Sequence, residues 1–244
     1  MRPFLLLGTR AEDAAADNEY DAFLGFTGLE ESMLQRVRLK RGPLGSVDLD
    51  DWSGIFLGGG PFNSSDPDEL KSPVQRRVES ELGALLDVVV ERDFPSLGAC
   101  YGIGVIGTHR GATIDREYSE PIGPVPVTLT AEGRADPLLA DLPEHFDAFV
   151  GHKEAVSHLP EHATLLASSP GCPVQAFRVG SNVYATQFHP ELDIAGLVTR
   201  IEVYKHSGYF EPHEADSYKA MARASTVLEP PKILTRFVQR YARA

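Results

Sequence analysis

The sequence predicts an α/β fold in three layers, a mostly parallel central sheet with helices on both faces. Two observations point there. Short apolar runs alternate with longer amphipathic ones through the first half of the chain, the pattern of a sheet covered on both sides. The 244 residues are 42% hydrophobic and 24% charged, enough for a real core and unlike a disordered chain.

Phe4 to Leu7 is the first apolar run and reads as a buried strand. With Met1-Arg2 before it and Ala14-Ala15-Ala16 after it, the segment faintly mimics a secretory leader. An apolar h-region needs about 7–15 residues, however, and Gly8-Thr9-Arg10 breaks this run after Leu7. Residues 18–26 read as a helix, and Leu34 to Leu39 and Gly54 to Leu57 as strands. Ser72-Pro73-Val74-Gln75 then opens a second helix, with an N-cap serine, proline at the first helical position and glutamine placed to close a capping box. Val74, Val78, Leu82, Leu85, Leu86 and Val89 repeat at helical spacing as its buried stripe. Phe94 to Ala99 is a short strand running into Cys100, with a helix after it. In the second half, Val125–Thr130, Ala148–Gly151, Thr164–Ala167, Val174–Val179 and Val183–Gln187 read as strands. The last two are joined as a hairpin at Gly180-Ser181-Asn182. Helix returns from Ile194 to His206, and Pro230-Pro231 sets off a last one from Ile233 to Arg240. Without repeats, low-complexity tracts or a linker, the expectation is one domain over 1–244, with C-terminal helices from about 193 to 244 as an extension.

The 23 Lys+Arg against 35 Asp+Glu give a formal net charge of −12. That disfavours nucleic acid as a partner, since phosphate neutralisation needs a basic surface. No stretch approaches the roughly 18 apolar residues of a membrane span, so a soluble, cytoplasmic protein with no membrane partner is expected. Two cysteines, Cys100 and Cys172, exclude a disulfide scaffold and four-cysteine zinc modules. The histidines show no metal-ligand spacing, and no metal site is expected.

Three stretches carry chemistry. Gly98-Ala99-Cys100-Tyr101-Gly102 places a cysteine between glycines where a strand turns into a helix, the context of a nucleophile elbow. There a helix N-terminus favours the thiolate. The same residues also fit a buried core cysteine beside a tight turn. Gln187-Phe188-His189-Pro190-Glu191 supplies a base and an orienting carboxylate, because positions two apart in an extended segment face the same side. A surface turn has the same spacing. Gly58-Gly59-Gly60-Pro61 follows a strand, so its backbone N–H groups can stabilise an oxyanion together with that of Tyr101. A phosphate-binding glycine loop is the competing reading, and neither of its usual patterns is present.

In this order the three stretches resemble the class I (triad-type) glutamine amidotransferases, and in particular stand-alone proteins similar to the amidotransferase domain of GMP synthase. The resemblance runs from Gly54 to Leu192. It includes Gly151-His152-Lys153-Glu154-Ala155-Val156 and Cys172-Pro173-Val174-Gln175-Ala176. It implies a flavodoxin-like α/β sheet, with Cys100 as nucleophile, His189 as base and Glu191 orienting His189. The oxyanion hole then falls on the backbone of Gly60 and Tyr101. Gly59, Pro61, Gly104 and His152 become candidate substrate-binding residues, and no metal or organic cofactor is needed for the half-reaction. One departure stands out. The family carries glutamine four residues after the nucleophile, and this chain has Gly104, which leaves room for a γ-glutamyl compound bulkier than glutamine. His152 fits the pocket or a structural hydrogen bond equally well. Cys172 reads as a bystander in a turn, and Glu117, Glu120 and Glu144 as solvated surface.

The expected substrate is therefore a small-molecule γ-glutamyl compound. The chain has no Ser-Gly-Gly-x-Asp-Ser loop of the kind that binds pyrophosphate in GMP synthase, so an amidotransferase would deliver ammonia to a separate synthetase subunit. The alternatives are a γ-glutamyl hydrolase or peptidase with the same thioester chemistry, and a non-catalytic regulatory protein on the same scaffold.

Overall fold

The computed structural model of the chain describes residues 1–208 and 210–243. Its first half alternates as expected: β1 (Phe4–Gly8), α1 (Asp13–Thr27), β2 (Leu34–Arg38), β3 (Gly54–Leu57), α2 (Pro73–Glu91), β4 (Ser96–Ala99) and α3 (Tyr101–His109). Then follow β5 (Thr113–Asp115), β6 (Glu120–Leu129), α4 (Ala131–Ala135), β7 (His145–His152), β8 (Ala155–His158), β9 (Ala163–Ser168), β10 (Ala176–Val179) and β11 (Val183–Thr186). The chain ends in α5 (Ile194–Tyr204), α6 (Ala215–Ala224) and α7 (Pro231–Tyr241).

Among the described residues nine strands form one sheet, ordered β2-β1-β3-β4-β11-β10-β9-β6-β7, and β5 pairs with β8 apart from it. From β2 to β11 every pairing is parallel, and from β11 to β7 every pairing is antiparallel. The carboxyl ends of β1, β3, β4 and β11 therefore share one edge. Strand alternation divides the core between two faces. Phe4, Leu6 and Phe56 face Phe23 of α1 and Ile233, Leu234 and Phe237 of α7. Leu5, Leu7, Ile55 and Leu57 face the stripe of α2 and the apolar side of α3.

Several expectations change. The first helix begins at Asp13 and takes in Ala15 and Ala16, both buried. Ser72 caps α2 by accepting from the Gln75 N–H at 3.1 Å, but the Gln75 amide turns to Asn63 and Glu79, so only half of the capping box forms. Val78, Leu82, Leu86 and Val89 are buried as expected, whereas Val74, in the first turn, is 39% exposed. β6 extends back from the expected start at Val125 to Glu120, through Pro121 and Pro124, although proline gives a ladder no N–H. β5, β8, α4 and α6 are additions that no sequence pattern announces. Residues 193–244 are more than an appendage: α7 lies in the main core, and α5 packs with α6 over Phe149 and Leu192. Among the described residues no helix is long and apolar enough to cross a membrane.

Candidate active site

β4 ends at Ala99 and α3 begins at Tyr101, which leaves Cys100 alone to make the turn at φ 52° and ψ −97°. A non-glycine residue holds that left-handed conformation only when its surroundings impose it. The Cys100 N–H donates to the Thr186 carbonyl at the end of β11, at 2.8 Å. The flanking glycines are steric necessities. A Cβ at Gly98 would stand 2.9 Å from the Gly102 backbone, and one at Gly102 would stand 2.9 Å from the Leu57 carbonyl. As the first residue of α3, Tyr101 has no intrahelical acceptor for its N–H.

The glycine loop after β3 is packed from three sides. A Cβ at Gly58 would meet the Glu19 carboxylate at 2.8 Å, one at Gly59 the His189 ring at 2.7 Å, and one at Gly60 the Thr9 hydroxyl at 1.8 Å. Thr9 Oγ1 also donates to the Gly59 carbonyl at 3.0 Å. The loop backbone is thus pressed against the segment after β1 on one side and against His189 on the other.

His189 follows β11 and is anchored through its N–H to the Phe149 carbonyl at 3.0 Å. Pro190 and Glu191 form a turn there, so a bend rather than an extended strand makes the contact with Glu191. His189 Nδ1 lies 2.9 Å from Glu191 Oε1. That pairing assigns the ring proton to Nδ1 and leaves Nε2 with its lone pair. The site also holds charges that lie outside the three motifs. Arg200 of α5 donates from Nη2 to Glu191 Oε1 at 2.9 Å and places Nη1 3.1 Å from His189 Nδ1. Arg10 donates from Nε to Glu19 at 2.9 Å and from Nη1 to the Tyr204 hydroxyl at 3.3 Å. Gly8-Thr9-Arg10, directly after an apolar run at the strand edge, is the available signal for Arg10; nothing local marks Arg200 or Glu19.

One cavity joins these parts, bordered by Gly60, Pro61, Cys100, His189, Arg10 and Arg200 and closed by apolar side chains that include Ile122 and Leu197. Burial pushes the Cys100 thiol up to about 12, against the pull of Arg10 and Arg200. This reverses the expected thiolate: in the resting site the sulfur stays protonated. Burial also lowers His189, outweighing Glu191, with Arg200 and Arg10 adding to the lowering. Burial acts to raise Glu191 too, but His189 and Arg200 hold it well below the usual carboxylate range. The arrangement is a neutral thiol and a neutral imidazole beside an ionised carboxylate, suited to proton transfer at the moment of attack.

Two other candidates lie off the cavity. Gly104 is buried in α3, and the room expected beside it is filled: a Cβ there would meet Ser64 Oγ at 2.8 Å and Glu154 Oε1 at 3.2 Å. Glu154 in turn accepts from the Ser64 and Ser65 N–H groups at 2.7 and 2.8 Å. His152 takes the structural role, between Glu120 Oε2 at 3.0 Å and the Glu154 carbonyl at 2.9 Å. Glu120, expected on the surface, is buried there and also accepts from Ser169 and Gln175. Cys172 is buried away from the cavity, with its thiol 3.5 Å from the Val174 carbonyl.

Residues 36–196 match the family described as glutamine amidotransferase class-I. Over 149 residues the chain is 30% identical to a glutamine-hydrolyzing GMP synthase subunit of Thermoplasma acidophilum, covering 61% of this chain and 68% of that protein. It is 28% identical to the glutamine-hydrolyzing GMP synthase of Hamiltonella defensa, where the match takes in 57% of this chain and only 25% of that longer protein. In structure it resembles a glutamine amidotransferase from Thermotoga maritima, with a TM-score of 0.75 at 16% identity over the whole of both chains.

Proposed function

The chain belongs to the class-I glutamine amidotransferase family, and from that premise we propose that it hydrolyses a γ-glutamyl amide, glutamine first among them, through a thioester on Cys100. What supports this most is one juxtaposition: Cys100, His189 and the Gly60 loop border a single cavity, while Glu191 holds the far side of the His189 ring at 2.9 Å.

In the proposed reaction His189 Nε2 takes the thiol proton as Sγ attacks the γ-carbonyl carbon, and the negative charge on the oxygen falls to the N–H groups of Gly60 and Tyr101. The C–N bond then breaks, and the imidazolium gives its proton to the departing nitrogen, releasing ammonia from glutamine. Water, deprotonated by the same imidazole, attacks the thioester and releases glutamate, and the proton returns to sulfur. Glu191 keeps the ring in the tautomer this needs and stabilises the imidazolium. Ser64 and Glu154 fill the space beside Gly104, which leaves no added room there for a bulkier compound, so glutamine is retained as the leading substrate. A separate synthetase subunit is the proposed acceptor of the ammonia.

A γ-glutamyl hydrolase acting on a substituted amide is the second reading, favoured by the apolar side chains of Ile122, Val150, Leu192 and Leu197 that line the same cavity. The test is glutamate release from glutamine and from γ-glutamyl peptides by the protein and by Cys100→Ala. Turnover of glutamine that Cys100→Ala abolishes is the expected result. Turnover of peptides alone would replace the first reading with the second, and no Cys100-dependent turnover, with or without a synthetase, would leave a binding protein.

A further inference from the structure

We propose that Arg10 is a carboxylate-recognition residue of the cavity at Cys100, so that the substrate is selected by an anionic group held beside the reacting thiol. The proposal rests on that cavity being where the γ-glutamyl amide is cleaved. Arg10 is 5% exposed, yet its guanidinium is only partly used. Nε is spent on Glu19 and Nη1 on Tyr204, and the plane is further braced by the Tyr204 ring 5.7 Å away. Nη2 has no acceptor among the described residues. Its position is known from the glycine loop: it lies 3.0 Å from where a Cβ on Gly59 would stand, and His189 Cε1 lies 2.7 Å from the same point. The unused N–H pair therefore sits beside the ring proposed as the base, in a cavity that both residues line.

The charge inventory of the lining has one sign. Arg10 and Arg200 border the cavity, and no Asp or Glu does among the described residues. The carboxylates that balance them, Glu19 and Glu191, are 1% and 0% exposed and lie behind the guanidinium groups. Arg200 Nη2 is spent on Glu191, its Nη1 faces the protonated Nδ1 of His189, and its Nε is buried without an acceptor among the described residues. Arg10 Nη2 is therefore the guanidinium nitrogen placed at the glycine loop to meet a ligand. Guanidinium N–H groups left without an acceptor in a confined site are costly, and a carboxylate oxygen is the acceptor that matches their geometry and charge. A γ-glutamyl compound offers that carboxylate from one of two places: the α-carboxylate of its glutamyl part, or an acid on the departing amine.

The first experiment reads Cys100 directly. Iodoacetate and iodoacetamide deliver the same one-carbon alkylation and differ in carrying a carboxylate or a neutral amide. Arg10→Met is expected to slow both reagents, because the cation that pulls the thiol pKa down is lost. It is also expected to lower the iodoacetate-to-iodoacetamide rate ratio at Cys100, in which that shared effect cancels, by about tenfold; Arg10→Lys is expected to keep part of the preference. Because Arg10→Met strands Glu19, the pair Arg10→Met with Glu19→Gln is run beside it and is expected to show the same fall. An unaltered ratio in the folded variants overturns the proposal.

The second experiment finds the source of the carboxylate, from the KM of wild type and Arg10→Met for glutamine, γ-glutamylmethylamide, γ-glutamylglycine and 4-aminobutanamide. A rise for all three γ-glutamyl compounds assigns the α-carboxylate, and a larger rise for γ-glutamylglycine assigns the leaving amine. An equal rise for 4-aminobutanamide, which has no carboxylate, overturns the proposal. If wild type cleaves none of them while the alkylation ratio still falls, the carboxylate site stands and the hydrolase reading fails.

Discussion

Arg200 acts on the charge state of the His189–Glu191 pair from outside the three sequence motifs. Its guanidinium touches both partners, and its cation adds to the burial that holds His189 below its ordinary pKa. A base must be neutral to act, so activity falls as pH drops through the pKa of His189. Removing Arg200 lets that pKa rise. Arg200→Met is therefore expected to move the acid limb of the kcat profile to higher pH and to lower kcat roughly tenfold, the scale of one lost charge-assisted hydrogen bond, with partial rescue by Arg200→Lys. An unmoved acid limb would leave Arg200 a purely structural role. The two thiols make a second case. Burial raises both, each to about 12, so access rather than acidity separates them. Iodoacetamide is expected to label Cys100 well before Cys172 in the native state, with a rate that climbs with pH beyond the neutral range and shows no plateau there. Cys100, His189 and Glu191 are legible in the sequence because each sits in a pattern of five residues at a strand end. Arg10, Glu19 and Arg200 are not, because their contacts join segments far apart in sequence.

At the scale of elements, glycines of identical appearance in the sequence carry opposite signs. Gly83 lies inside α2, where an added Cβ meets nothing within 4 Å. Gly83→Ala is expected to stabilise the protein by about 1 kcal/mol through helix propensity alone, raising Tm by roughly 2–4 °C. Gly133 lies inside the short α4, and a Cβ there would stand 2.0 Å from the Leu166 carbonyl of β9. Backbone cannot swing aside as a side chain can, so Gly133→Ala is expected to destabilise by roughly 1–3 kcal/mol, and thermal melts of the two variants check the contrast. The same dependence on packing explains which elements are readable. β1, β3 and β4 are buried on both faces, so an unbroken apolar run announces them. β6 is partly exposed and carries three prolines, and pairing with β7 and β9 makes it a strand despite them. α6 fully buries only Ala215 and Ala222, so no stripe of large apolar residues announces it.

On the scale of the whole molecule, chemistry is drawn from one end of the central strands and stability from one of their faces. The edge at the carboxyl ends of β1, β3, β4 and β11 presents Arg10, the glycine loop, Cys100 and His189, and their strained backbone is held by strands that are buried throughout. One face of those strands is covered by α7, whose Phe237 packs its ring 5.0 Å from Phe56 and 6.2 Å from Phe4. Ile233, Leu234 and Phe237 are all 0% exposed. At roughly 1.5–3 kcal/mol for each large buried side chain, the three together rival the roughly 5–15 kcal/mol that holds an ordinary domain folded. Deleting residues 229–244 is therefore expected to abolish the cooperative thermal transition. Phe237→Ala is the milder probe, expected to cost roughly 3–5 kcal/mol and to lower Tm by roughly 6–20 °C. Since no α7 residue borders the cavity, kcat of Phe237→Ala well below its melting temperature should match wild type. A loss of kcat in a fully folded Phe237→Ala protein would mean that α7 positions the elbow as well as covering the sheet.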